Sequence, residues 1–213
     1  MNITIFGASG ATGTLLTERC LAAGHHVTAL LRTPEKFPLR NRIRVIHGNA
    51  FDPSAVRQSV EGSDVVLSAL GASSPFKKED VLERAVPAII AAMHQTGVRR
   101  IIVLGSAGAL PTSLDKQPGW RRWIVQNIVY NTFLKWPVAS QISQHTNLSA
   151  STLDWTMVMP PMLTNTPAHG TYRIDGEALP RNGSRISRAD VADFMMLQID
   201  NPQWIKKGVY IAW

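Results

Sequence analysis

Ile3-Thr4-Ile5-Phe6-Gly7-Ala8-Ser9-Gly10-Ala11-Thr12-Gly13 decides how this chain is read. An apolar, β-branched run ends at Phe6, three glycines follow at Gly-x-x-Gly-x-x-Gly spacing, and an apolar stretch with Leu15, Leu16, Cys20 and Leu21 comes directly after. Strand, tight turn and helix are expected in that order. Each glycine has its own reason. Gly7 lets the chain turn off the strand, Gly10 lets a pyrophosphate approach the backbone, and Gly13 lets the helix pack close to the sheet. The start of the helix offers unpaired N–H groups and the positive end of its dipole to phosphates. Ser9 and Thr12 add hydroxyl donors.

Outward from this stretch, strand and helix patterns alternate. Strands are expected at Asn2–Phe6, His26–Leu31, Arg44–His47, Val65–Ala69, Arg100–Leu104 and Trp155–Met159. Helices are expected at about 11–23, 54–60, 79–96 and 120–149, the last interrupted at Pro137. Short, continuously apolar runs such as Ile101-Ile102-Val103-Leu104 suit a parallel sheet covered on both faces. Strand–helix alternation implies an α/β fold of Rossmann type, a doubly wound parallel sheet in a single domain over residues 1–213. Asp52-Pro53 reads as a helix N-cap followed by proline, and Gly24 and Gly97 as helix ends. Pro87 is expected to kink or split its helix. Residues 162–187, rich in Pro, Gly, Thr and Asn, read as a hairpin-like excursion forming a small substrate cap. A helix at 188–199 and a strand at 208–212 follow.

Composition narrows the function classes. The chain has 213 residues, 45% of them hydrophobic and 17% charged, enough to bury a full core. Its formal net charge is +7, with 22 Lys and Arg against 15 Asp and Glu. The basic residues are dispersed and match no nucleic-acid motif, so an anionic, phosphate-bearing ligand is favoured over nucleic acid. No window reaches the length of a membrane span, and no membrane partner is expected. Cys20 is the single cysteine. With no secretory leader pattern and no disulfide partner, a reducing, cytoplasmic setting is expected. No His, Cys, Asp or Glu spacing resembles a metal site.

The second strand should end beside an adenine ribose. An acidic residue there would bind the hydroxyls of NAD. This chain places Arg32 at that position, with Thr33 and Lys36 nearby, and cations suit a 2′-phosphate. NADP(H) is therefore the expected cofactor. Asn49, followed by Ala50, is placed to bond adenine. Leu70, Gly71, Ala72, Ser73 and Ser74 supply small groups at a strand end, and Gly105-Ser106 should lie near the nicotinamide.

Taken together, these segments resemble the atypical short-chain dehydrogenases of the NmrA-like group, most nearly the flavin reductase or biliverdin-IXβ reductase family. Val27–Arg32, Leu153–Thr156, Val158-Met159-Pro160-Pro161 and Ile186-Ser187-Arg188-Ala189-Asp190 carry the resemblance along with the glycine turn. It implies an NADP-binding monomer or weak homodimer. The candidate cofactor contacts are Gly7, Ser9, Gly10, Ala11, Thr12, Gly13, Arg32, Lys36, Asn49, Ala50, Leu70, Gly71, Ser106 and Pro160. Ser106 matches the family's serine beside the nicotinamide and is the one candidate catalytic residue. Two positions depart from the family. Asn49 stands where it has Asp, and Met162 stands where it has His.

Ordinary short-chain dehydrogenases use Tyr-x-x-x-Lys, in which the lysine lowers the tyrosine pKa. Here Leu134 follows Tyr130 at that spacing, Lys135 lies one residue further on, and Tyr172 and Tyr210 have no such partner. Alcohol oxidation by that route is not supported. Hydride transfer to a small flat acceptor of flavin, quinone or tetrapyrrole type asks only for stacking and exclusion of water. Pro161, Met162, Trp120, Trp123 and Tyr172 are the candidate pocket walls. His145 is a candidate general acid, although an ordinary hydrogen-bonded histidine also fits. The alternatives are a non-catalytic NADP(H) sensor with a protein partner and a sugar-nucleotide epimerase relative, the latter disfavoured by the missing Tyr–Lys pair.

Overall fold

The computed structural model describes residues 1–71 and 79–213, without the side chains of 130–133. Its strands are β1 (Asn2–Phe6), β2 (His26–Leu31), β3 (Arg44–His47), β4 (Val65–Ser68), β5 (Arg100–Leu104), β6 (Asp154–Met159), β7 (Met162–Thr164), β8 (Arg173–Asp175), β9 (Arg185–Ser187) and β10 (Lys207–Ala212). The helices are α1 (Ala11–Ala22), α2 (Pro53–Val60), α3 (Val81–Thr96), α4 (Gly119–Ile124), α5 (Lys135–Ala150) and α6 (Arg188–Leu197). The described residues form one sheet of eight strands in the order β3-β2-β1-β4-β5-β6-β10-β8. Every pair is parallel except β8 with β10.

The sheet reverses its order beside β1, where Ile3 pairs with Val27 on one side and Val65 on the other. Both faces of the central strands are dry, and all of β4 is buried. On one face, α1 and α6 pack against Ile3, Ile5, Leu67 and Ile102. On the other, α2, α3 and α5 pack around Phe6, Val66, Ile101 and Met157. Cys20 is wholly buried on the α1 face, and desolvation pushes its thiol up to about 12, so it acts as a small apolar group.

Local signals act as read. The Asp52 carboxylate caps α2 by accepting from Ser54 N–H at 2.9 Å, with Pro53 at the first helical position. Gly97 ends α3 in the left-handed region, at φ 76°. Three expectations are corrected. Pro87 does not split α3, because it sits on the exposed face, where water can satisfy the carbonyl its ring leaves free. The break between 119 and 150 falls at Leu134, where a π-helical segment over Val125–Phe133 ends. Pro137 instead lies in the first turn of α5, where no N–H is needed. Residues 162–187 are not a hairpin. β7 and β9 pair in parallel, and β8 joins the edge of the main sheet. The expected small residues Ala72, Ser73 and Ser74 lie outside the described residues.

Asp190 ties the excursion to the body. Ser187 caps α6, and its hydroxyl donates to the fully buried Asp190 carboxylate at 2.7 Å. That carboxylate also accepts from Gly170 N–H at 2.9 Å, His169 N–H at 3.1 Å and Trp213 Nε1–H at 3.1 Å. Burial pulls its pKa upward, but these donors outweigh it and hold the group below the ordinary carboxylate range. A depressed native pKa contributes stability that is full above the unfolded value, near about pH 4, and is lost as pH falls through the native value. Asp190→Asn is expected to lower Tm at pH 7 by roughly 5 °C. It should also flatten the loss of Tm between neutral and strongly acidic pH, as read by thermal melts across that range. A variant with the wild-type acid profile would remove Asp190 from this role.

Candidate functional site

The turn after β1 is shaped by contacts too close for side chains. A Cβ on Gly13 would lie 2.0 Å from the Gly7 carbonyl oxygen, and one on Gly7, at φ 76°, would lie 2.8 Å from the Ala69 carbonyl. Gly10 differs, because its Cβ would meet only the Gly7 oxygen, at 3.3 Å. Ser9, Gly10 and Ala11 are exposed, while Thr12 is buried. Gly10 caps α1 with no side-chain hydrogen bond, and the first turn holds no acidic residue. The first N–H groups of α1 therefore face the carboxyl edge of the sheet without a side-chain cap.

A hollow of about 160 Å³ continues from this turn. Gly7, Ser9, Arg32, Asn49, Ala50, Leu70 and Gly71 line it, with Phe6, Leu30, Gly48, Phe51, Glu79 and Val81. A Cβ on Gly71 would stand in open space. Arg32 is exposed and makes no ion pair with a described residue. Lys36 is exposed on the 3-10 turn Pro34–Lys36 just beyond it, outside this hollow. The Asn49 side-chain Oδ1 accepts from Phe51 N–H at 3.2 Å, an Asx turn that leaves its side-chain nitrogen available among the described residues. Eleven of the expected contact residues thus sit along one edge, from the glycine turn to the ends of β2, β3 and β4.

Ser106 lies further along that edge. Gly105 N–H donates to Val158 O at 2.7 Å, and Ala107 N–H donates to Pro160 O at 2.9 Å. These bonds clamp Ser106 beside Pro160 and Pro161. Its hydroxyl accepts from Gly108 N–H at a long 3.4 Å, leaving it weakly held. Gln144 Nε2 donates to Leu104 O at 3.1 Å and fixes α5 behind the same strand end.

A second cavity, of about 600 Å³, opens at Ser106. Its walls are Ala107, Leu114, Val125, Val129, Leu134, Pro161, Met162 and Leu179, with Gln117, Arg121, Gly183, Ser184 and Arg188. Gln117 pins the excursion over it. Its Nε2 donates to Leu179 O at 2.8 Å and Pro180 O at 3.0 Å, and its Oε1 accepts from Asn182 N–H at 3.1 Å. Arg121 donates to Gly183 O at 3.3 Å, and Arg188 to Asn165 Oδ1 at 2.7 Å. Neither arginine meets a carboxylate among the described residues, so the cavity keeps two unneutralised cations. A hollow of about 630 Å³ lies at the opposite, amino edge of the sheet, near His25 and Arg44. Its size does not make it the site, because open parallel sheets bind ligands at their carboxyl edge.

Several sequence expectations are corrected here. Tyr172 packs edge-on against Phe194, ring centroids 5.8 Å apart, on the α1–α6 face. Trp120 and Trp123 are 69% and 61% exposed and do not line the cavity. His145 packs edge-on against Trp155, near the amino end of β6, away from Ser106, and burial lowers its pKa. Tyr130 has no described side chain. Reading the sequence missed Gln117, Arg121 and Arg188 as cavity residues. Arg188 stood inside a quoted motif, but nothing local says which way it turns.

A glycine turn at the reversal of a parallel sheet, an uncapped helix start and the exposed cation Arg32 past β2 define a dinucleotide-binding protein of Rossmann type. The chain belongs to the NAD(P)H-binding family, whose model matches residues 7–202. It is similar to YwnB of Bacillus subtilis (strain 168), an uncharacterized protein, at 29% identity over 110 residues. That match covers 52% of this chain and 49% of YwnB, so it spans about half of the relative's length. Among solved structures, a short-chain dehydrogenase/reductase of Veillonella parvula DSM 2008 in complex with NADP is similar, with a TM-score of 0.81 and 22% identity over 100% of this chain and 94% of that one. ChuY, an anaerobillin reductase of Escherichia coli O157:H7, has a TM-score of 0.80 at 20% identity, over 100% of this chain and 97% of its own. These two likenesses are of fold.

Arg32→Ala is expected to weaken NADPH binding roughly tenfold to a hundredfold, the value of one or two charge-assisted hydrogen bonds. NADH binding should change little. Fluorescence titration with both cofactors reads the difference, and equal losses would remove the 2′-phosphate contact.

Proposed function

We propose that this chain is an NADPH-dependent reductase for a small, flat, conjugated acceptor of flavin, quinone or tetrapyrrole type, in the manner of the flavin reductase-like, NmrA-like proteins it resembles. The observation that carries this reading is the apolar cavity of about 600 Å³ that opens at Ser106 and Pro161, where the carboxyl ends of β5 and β6 meet. Bound NADPH supplies a hydride there. The glycine turn and the start of α1 hold its pyrophosphate, and Arg32, with Lys36 nearby, takes the 2′-phosphate. Asn49 meets the adenine through its free amide. Leu70, Gly71 and Pro160 leave room for the cofactor along the edge.

The acceptor lies against Pro161 and Met162, with its plane covered by Leu179 and the Val125–Val129 segment. These groups exclude water and hold the acceptor in stacking register. Ser106 orients the nicotinamide or the acceptor through its weakly held hydroxyl. Addition of hydride to a conjugated acceptor leaves negative charge on its oxygen or nitrogen. Arg121 and Arg188, without carboxylate partners among the described residues, stabilise that charge. The proton that follows comes from water, since no tyrosine–lysine pair is present in the sequence to supply it. The fold-level likeness to ChuY, described as an anaerobillin reductase, supports this acceptor class by analogy.

The test is NADPH oxidation across flavins, quinones and biliverdins, run beside a cofactor titration. Acceptor-dependent oxidation is expected. Tight binding with no oxidation across the panel would instead favour the sensor reading. Ser106→Ala should lower kcat about tenfold, worth one hydrogen bond, with NADPH affinity nearly unchanged. An unchanged kcat would make Ser106 structural.

A further inference from the structure

An exposed apolar face lies on the outside of α4 and the π-helical turn after it. Trp120 is 69% exposed, Trp123 61%, Ile124 39% and Ile128 43%. Their spacing of i, i+3, i+4 and i+8 puts them on one face. Arg121, Val125 and Val129, each one position further along, follow at intervals of four and line the cavity on the adjacent face. The segment is therefore amphipathic in an unusual sense. One apolar side serves the cavity, and the other faces outward with two indoles at its centre. Trp136, at the start of α5, is 38% exposed and carries Lys135 Nζ 5.3 Å from its ring.

Charge decides what fits this face. Asp115 is the last acidic residue before Asp154, and the stretch between them holds Lys116, Arg121, Arg122 and Lys135. Lys116 is paired with Asp175 and Glu177, and Arg122 with Asp115 at 3.1 Å. Lys135 meets no carboxylate among the described residues, and the whole chain carries +7. An exposed helix face of tryptophan and isoleucine, on a chain of net charge +7, with Lys135 unpaired among the described residues and the neighbouring Asp115, Asp175 and Glu177 each held by Arg122 or Lys116, has the composition of a segment that lies in a lipid interface. Indoles favour the headgroup level, where one edge is apolar and the N–H is wet. A basic protein is drawn to an anionic leaflet.

We propose that the outer face of α4 and residues 125–128 docks onto an anionic phospholipid bilayer, with Trp120 and Trp123 seated among the headgroups. This is a peripheral contact, as no helix among the described residues is long and apolar enough to cross a membrane. The expectation of no membrane partner rested on the absence of a spanning segment, and a peripheral contact needs none. This contact does not depend on the reductase reading, since it concerns only the outward side of the helix.

The test is co-sedimentation of the full chain with vesicles of phosphatidylcholine alone and of phosphatidylcholine mixed with phosphatidylglycerol. Binding to the mixed vesicles, a blue shift of tryptophan emission and weakening by salt are expected. Trp120→Ala/Trp123→Ala should reduce that binding about tenfold or more. Its melting temperature and NADPH affinity should stay at wild-type values, since both side chains are exposed and away from the cofactor edge. Three results would overturn the proposal. The wild type does not bind the mixed vesicles, the double variant binds them equally well, or the chain is a dimer in lipid-free buffer that the double variant converts to monomer. The last would assign the face to a second copy of the chain.

Discussion

The approach of Gly13 to the carbonyl of Gly7 is the constraint on which the rest of this molecule rests. A Cβ at Gly13 would stand 2.0 Å from that oxygen, so α1 can begin this close to β1 only with glycine there. The closeness has two consequences. It lays α1 flat on the sheet, with Leu16 and Cys20 buried against β1 and β4 neighbours. It also leaves the start of the helix at the carboxyl edge, where the strand order reverses, with its first N–H groups turned outward. Packing and ligand chemistry share one cause at this point.

A second set of tethers brings distant stretches to the same edge. Ser106 and Pro160 are far apart in sequence, yet the Gly105–Val158 and Ala107–Pro160 backbone bonds set them side by side. Gln117 draws 179–182 over the cavity, and the buried Asp190 holds 169–170 and Trp213 onto α6. At the other end of α6, Arg100 donates to Gln198 O at 2.5 Å and Ile199 O at 3.4 Å, occupying carbonyls left free there. Most of these polar bonds are buried or part-buried and all are directional, and those from Gln117 and Asp190 hold the excursion in one arrangement.

The α4 region illustrates how one helix can serve two surfaces. Its inner face closes the cavity with valines and an arginine, and its outer face shows indoles to solvent. A wider π-helical turn follows, which brings residues four apart into line and keeps Arg121, Val125 and Val129 on one side. The tryptophans look like pocket walls in the sequence because aromatic residues near a site resemble a pocket. Which side of the helix meets the protein is set by the sheet edge and by residues 179–184, far along the chain.

The sequence by itself determined the local elements and the glycine turn. The strands at 2–6, 26–31, 44–47 and 100–104, the Asp52 cap, the Gly97 stop and the three glycines all follow from backbone sterics, hydrogen-bond satisfaction and short-range apolar period, which act within a few residues. Arg32 was legible for the same reason, as its place is counted along one strand from the turn. Only the tertiary structure decided that α3 runs unbroken through Pro87 on its exposed face, that 162–187 is a parallel ribbon with an edge strand, and that Tyr172 belongs to the α6 face. It alone brought Arg121, Gln117 and Arg188 to one cavity and turned Trp120 and Trp123 away from it. Those outcomes depend on which face of an element meets partners dozens of residues away, and no local pattern encodes that choice.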